Sequence, residues 1–125
     1  MTSAHEVEIR WADLDAFGHA SHRAYIDFLE VARDAFLDGL IGPEHRRTMT
    51  IRRLAIDYLA QVTQADDRVR VTVRIATLDG GGVTTEEEVH GGADGRLAAR
   101  ATCELAAPAA ALAALRAGEP PAQHP

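Results

Sequence analysis

One stretch constrains this chain more than any other. Residues 11–33, WADLDAFGHASHRAYIDFLEVAR, carry a short polar loop straight into the only long amphipathic helix of the sequence. In the loop, Asp13, Asp15, Gly18 and His19 lie within a few residues of one another, and Gly18 is free to take a backbone angle that other residues avoid. Ser21 is the expected N-cap. Tyr25, Phe28, Leu29, Ala32, Phe36 and Leu40 then recur at three- and four-residue spacing, which marks one buried helical face. Asp27, Glu30, Asp34 and Asp38 line the opposite side, and Gly39 with Gly42-Pro43 ends the helix.

The remainder reads as strand. Over 5–12, Val7, Ile9 and Trp11 alternate with Glu6, Glu8 and Arg10, the period of a half-buried strand. Residues 44–50 are polar and read as a loop. Strand 51–61 follows, with Leu54, Ile56, Tyr58 and Ala60 in phase. Val69, Val71, Val73 and Ile75 define a third strand, 83–90 a fourth with one polar face, and 96–106 a fifth that buries Leu97, Ala99, Ala101, Cys103 and Leu105. Asp79 with its glycines and Gly91-Gly92-Ala93-Asp94-Gly95 are the turns between them. Beyond Pro108 the expectation is a short alanine-rich helix and a frayed tail. The division is therefore a domain over 1–108 and a segment 109–125. One long helix with an antiparallel sheet is an α+β arrangement. The apolar helix suggests a sheet curled around it, and exposed sheet edges invite a second copy of the chain.

Composition removes several functions. A formal net charge of −6 opposes a nucleic-acid role, which needs a basic face. Aromatic residues make up 5% of the chain, too few for stacking platforms. A single cysteine, Cys103, forbids an internal disulfide and makes a reducing cytoplasm the default location. No apolar run approaches membrane-spanning length, and no signal peptide precedes the first strand.

What chemistry the chain has belongs at the loop–helix junction. A carboxylate at Asp15, just ahead of a helix N-terminus, stays ionised at neutral pH and is available as nucleophile or general base. Backbone N–H groups around Ser21–Arg23 could hold an oxyanion forming on a bound carbonyl. Those two parts suffice to hydrolyse an activated acyl group, and a thioester suits them because its thiolate leaves without much acid assistance. Beside this stands the reading of Asp15 as a turn residue, and Asp13 is expected to be structural. His19 and His22 with a nearby aspartate give only a weak metal pattern. Cys103 reads as a small core residue. The Arg46-Arg47 and Arg52-Arg53 pairs read as solvated charge that could meet a phosphate.

The run from Arg10 to Arg33 resembles the signature of the 4-hydroxybenzoyl-CoA thioesterase-like branch of the hotdog-fold acyl-CoA thioesterases. That signature is D-x-D-x-x-G-H-V-N-N-x-x-Y-x-x-x-x-E-x-x-R, and Asp13, Asp15, Gly18, His19, Tyr25, Glu30 and Arg33 fall in register with it. The later strands fit as well, so the resemblance covers about residues 5–107. It implies a hotdog fold, a long central helix wrapped by a five-stranded antiparallel sheet, working as a dimer or tetramer with active sites between subunits. It also implies that Asp15 is the catalytic carboxylate and that the backbone N–H at His22 belongs to the oxyanion hole. Gly18, His19, Ser21 and Tyr25 would bind substrate. Where the signature has V-N-N, this chain has Ala20, Ser21 and His22. A backbone donor survives that change, while side-chain contacts to the acyl group do not. The N-P-L-H-type motif of hotdog hydratases is missing from DAFGHASHRAY.

The expected function is thus hydrolysis of an acyl thioester, of CoA or of an acyl carrier protein, without metal or redox cofactor. The partners are that thioester and a second copy of the chain, with no nucleic acid and no membrane. The alternative is a non-catalytic hotdog module that binds acyl-CoA or another apolar ligand.

Overall fold

Alternating valines and alanines set the sheet, and the three- and four-residue apolar stripe sets the helix laid on it. The computed structural model describes residues 2–118. The elements are β1 (Thr2–Glu8), α1 (His22–Ile41), α2 (Pro43–Arg46), β2 (Thr50–Tyr58), β3 (Arg68–Leu78), β4 (Gly82–Gly91), β5 (Leu97–Ala106) and α3 (Ala109–Ala117). All five strands pair antiparallel in the order β1-β3-β4-β5-β2, which leaves β1 and β2 as the edges.

The core lies between α1 and one face of the sheet. Ala24, Tyr25, Phe28, Leu29, Ala32, Phe36 and Leu37 of α1 pack with Val69, Val71 and Val73 of β3, Val83 and Val89 of β4, and Ala99, Ala101, Cys103 and Leu105 of β5. Burying each large side chain here contributes roughly 1.5–3 kcal/mol. Burial also pushes the Cys103 thiol up to about 11, so it is an inert core group. Gly42, at φ 84°, terminates α1 in a conformation that glycine takes without a Cβ penalty.

Inside this apolar layer sits one ion pair that the strand patterns give no hint of. Arg33 of α1 donates from Nε to Glu87 Oε2 at 2.7 Å and from Nη2 to Glu87 Oε1 at 2.8 Å. Thr85 Oγ1 donates to the same carboxylate at 2.6 Å. Arg33 is 2% exposed and Glu87 0%, so the pair bolts α1 to the middle of β4.

Some local expectations change. The first strand stops at Glu8, and Trp11–Asp13 form a 3-10 turn that leaves Trp11 81% exposed rather than facing the core. The cause is Asp13, whose carboxylate caps that turn through Arg10 N (2.7 Å) and Arg10 Nη2 (2.9 Å). The polar stretch after Gly42 begins with the helical turn α2, started by Pro43. Its Arg46 is held by Asp38 at 2.7 Å rather than solvated. β2 ends at Tyr58, short of Ala60. The expected layering, one long helix on a five-stranded antiparallel sheet, is present. Its sheet is open, and Arg23, Ile26, Asp27, Glu30 and Val31 leave the outer side of α1 exposed.

The alanine-rich stretch after Pro108 is helical, as α3, and seats Ala111, Leu112 and Leu115 against the body of the protein, with Leu115 joining the core cluster. The tail expected at 119–125 lies outside the described residues.

Candidate active site

The loop between the 3-10 turn and α1 is folded by its own backbone. Asp15 N donates to His19 O at 2.7 Å and Gly18 N to Asp15 O at 3.1 Å. Gly18 sits at φ 78°, the left-handed angle that this tight return requires. The Asp15 carboxylate closes the turn from inside: its Oδ1 accepts the N–H of Phe17 at 2.8 Å and of His19 at 3.0 Å. These two donors, His19 first, hold the carboxyl below its usual range. Asp15 is exposed, and its Oδ2 has no hydrogen-bond partner among the described residues.

The loop is then fastened to the segment after β2. Ala20 N donates to Val62 O at 2.7 Å, Gln64 N to Gly18 O at 3.3 Å, and His19 and Thr63 form an antiparallel bridge. Tyr25, reaching across from the first turns of α1, accepts Val62 N–H at 3.2 Å on its hydroxyl, which in turn donates to Ala60 O at 3.5 Å.

These contacts enclose an open cleft of about 400 Å³, lined by Asp15, His19, Ala20, His22, Tyr25, Tyr58, Leu59, Ala60 and Gln61. Of the residues singled out in the sequence, Asp15, His19, His22 and Tyr25 meet there. Gly18 and Ser21 do not line it. Gly18 supplies the turn, and Ser21 is the N-cap residue, with its N–H on Asp13 O at 2.9 Å and its buried Oγ without a partner among the described residues. Asp13 faces a different cleft, with Arg10 and Asp27. Burial would raise its carboxyl, but the Arg10 side chain and backbone outweigh that and lower it.

Two features of α1 bear on chemistry. Its first turn has no acidic residue, so the positive end of the helix dipole is not offset there. The N–H groups of His22 and Arg23 find no acceptor among the described residues. Above them the rings of His22 and Tyr58 stand 5.2 Å apart, and Tyr25 meets Tyr58 edge-on at 5.1 Å. Tyr58 and Gln61 escape a reading of the sequence. Tyr58 carries a signal only as an in-phase strand residue, and Gln61 carries none. Among the described residues, no group of three His, Cys, Asp or Glu side chains is arranged to hold a metal ion.

An antiparallel five-stranded sheet carrying one long helix, with a carboxylate loop at the helix start, is the hotdog architecture of thioesterases. Its solved neighbours agree. A thioesterase from Thermus thermophilus, complexed with coenzyme A and Zn, superposes with a TM-score of 0.79 at 26% identity, covering 94% of this chain and 95% of that one. A hypothetical protein from the same organism gives 0.80 at 26% identity, over 96% and 99%. A DHNA-CoA thioesterase from Staphylococcus aureus shares the fold at 22% identity, TM-score 0.73, over 84% and 72%. A search of curated protein sequences finds no significant match. The model of the thioesterase-like superfamily matches residues 9–107, and the chain belongs to that superfamily. Membership supports thioester hydrolysis as the reaction class.

Proposed function

We propose that this protein hydrolyses an acyl-CoA or acyl-carrier-protein thioester to the free acid and the thiol, using Asp15 and the N-terminus of α1. The observation that carries this is the convergence, in one cleft, of an ionised carboxylate with a free oxygen and a helix start whose first N–H groups are unspent. The thioester carbonyl oxygen points at the N–H of His22, where the charge that develops is stabilised by the donor and the helix dipole. Asp15 Oδ2 either attacks the carbonyl carbon or draws a proton from an attacking water. The C–S bond breaks and the thiolate departs, taking up the proton that the water gives up; where Asp15 has attacked, water hydrolyses the resulting acyl anhydride to the free acid and restores the carboxylate. His19 and Tyr25 shape the walls, and the Tyr25 hydroxyl, spent on backbone, acts by fixing the 60–62 segment.

Self-association belongs to the same reading. The cleft is open, and Phe17 of the Asp15 turn, Tyr58 and Leu59 expose apolar surface at or beside it. β2 is an unpaired edge whose end, Tyr58, forms a cleft wall. Pairing of two β2 edges brings a second subunit over each site.

The deciding experiment is thiol release from short aliphatic, long aliphatic and aromatic acyl-CoAs, with Asp15→Asn run beside the wild type. The expected result is turnover of at least one class and a kcat loss of about 10²-fold or more in the folded variant, the size of a lost reacting group or key electrostatic donor. A variant that works at the wild-type rate removes Asp15 from the mechanism. Ligand-dependent melting without turnover of any thioester, carrier-protein thioesters included, points instead to a binding module.

A further inference from the structure

Outside the cleft lining, a single guanidinium gathers the loop that holds the Asp15 turn. Arg96, just ahead of β5, forks onto Asp66, with Nη1 to Oδ1 at 2.9 Å and Nη2 to Oδ2 at 2.8 Å. The same Nη2 donates to the carbonyl of Gln61, a cleft residue, and Nη1 also reaches Asp94 Oδ1 at 2.8 Å. Asp66 is 3% exposed and accepts two further backbone donors, Thr63 N at 2.9 Å and Ala93 N at 3.1 Å. One fork therefore fixes the chain at 61, 63 and 66. Those residues flank the two bonds, Ala20 N to Val62 O and Gln64 N to Gly18 O, that fasten the Asp15 turn.

The fold also makes room for this group. A Cβ at Gly91 would collide with the Arg96 guanidinium and the Asp66 carboxylate, and one at Gly92 with the backbone carbonyls of Asp66 and Arg68. Neither glycine has a positive φ, so conformational freedom does not explain them. What explains them is the space that the ion pair and its loop occupy. Because an arginine fork onto carboxylate is rigid and directional, it sets a position as well as holding it.

The geometry points to Arg96 and Asp66 as positioning residues of the catalytic loop: their ion pair, seated over Gly91, sets the 61–66 segment and through it the turn that aims Asp15. This rests on the thioesterase reading of Asp15. The two N–H donors that hold Asp15 Oδ1 come from that turn, and a displacement of about 1 Å at a reacting group costs up to 10²-fold in rate.

Two variants open the clamp by different routes. Arg96→Gln removes the fork. Gly91→Ala expels the guanidinium while leaving every charge of the protein in place. In both, kcat for the best acyl-CoA should fall about tenfold or more with a smaller change in KM. The acid limb of the kcat profile should rise toward the ordinary carboxylate range as the N–H donors to Asp15 are lost. The other titratable side chains facing the cleft, His19, His22, Tyr25 and Tyr58, are kept in both variants, and only Arg96→Gln removes a charge that acts on one of them, Tyr25. Amide hydrogen exchange at Ala20 and Gln64 should quicken about tenfold or more. A wild-type kcat with a wild-type acid limb overturns the proposal. So does a lost kcat with the acid limb unmoved, the signature of general destabilisation, and so does unchanged exchange at those amides. Asp15→Asn, run in parallel, separates the two ideas. If that variant keeps the full rate, the thioesterase reading of Asp15 fails by itself, and the clamp stands or falls on the exchange rates.

Discussion

At the scale of single residues, the Asp15 carboxylate closes a turn with one oxygen and leaves the other for the reaction proposed for it. Its Oδ1 is spent on the N–H groups of His19 and Phe17, and its Oδ2 is left over. Sequence alone leaves the turn residue and the catalyst as rivals, and the geometry allows both at once. Both donors favour the ionised form, so the carboxyl lies below its ordinary value of about 3.9. In the proposed reaction the working form is the carboxylate, present above the lowered value and lost as pH falls through it. The acid limb of the wild-type kcat/KM profile should therefore lie below the ordinary carboxylate range, and Asp15→Glu, whose longer arm misses the turn donors, should bring that limb upward. A limb lying above the carboxylate range and unmoved by Asp15→Glu would instead take the acid limb away from Asp15. What was legible here was the register of Asp13, Asp15, Gly18 and His19. What was not legible was that Ser21 stays out of the cleft lining, because sequence order says nothing about which way a capped turn presents its side chains; Asp13 is structural as expected. Tyr58 and Gln61 arrive from a distant segment after the long helix, and only the folded sheet brings them to the helix start.

At the scale of elements, the fold was the most readable part. Period two over 68–75 and 96–106 and the helical stripe from Tyr25 to Leu40 are local signals, and the elements they predict exist. The signal fails where a polar side chain is buried by a distant partner. Glu87 lies in β4 among Thr85 and Val89 on the inward face, a position that an alternation rule assigns to an apolar residue. Its partner Arg33 stands 54 positions away, inside a helix whose buried stripe is otherwise apolar. Arg96 and Asp66, 30 apart, are hidden from sequence in the same way. The Arg33–Glu87 pair is the direct fastening between α1 and the sheet, and its energetics are asymmetric. Removing one partner strands a buried charge and costs about 3–5 kcal/mol, whereas replacing both with apolar groups of similar volume comes near to neutral. Arg33→Met should thus lower the urea midpoint sharply at unchanged m-value, and Arg33→Met with Glu87→Leu should recover most of the loss. Equal destabilisation in the single and double variants would show that the pair contributes through its shape alone.

At the scale of the whole molecule, the two edges of the sheet are not equivalent. β1 is short, carries Glu6 and Glu8, and ends where the Asp13-capped turn takes over. β2 is longer, lies mostly open to solvent along Thr50–Tyr58, and exposes Ile51 by 45% and Tyr58 by 46%. An unpaired edge with apolar side chains at both ends is a template for another strand, and an antiparallel match between two β2 edges is satisfied by a two-fold axis, the commonest symmetry of homo-oligomers. Such a pairing closes the open side of the cleft, where Tyr58 and Leu59 now meet water. Sedimentation of the wild type should therefore give a multiple of the 13.5 kDa chain mass, twice that value being the smallest. Ile51→Lys places a charge on each side of the axis and should shift the population toward 13.5 kDa. If the partner completes the site, thioesterase activity should fall with protein concentration along the same curve as the mass. A wild type that sediments as a 13.5 kDa species while retaining full turnover would make the single-chain cleft the complete site, and the exposed β2 edge would then have no role in the reaction.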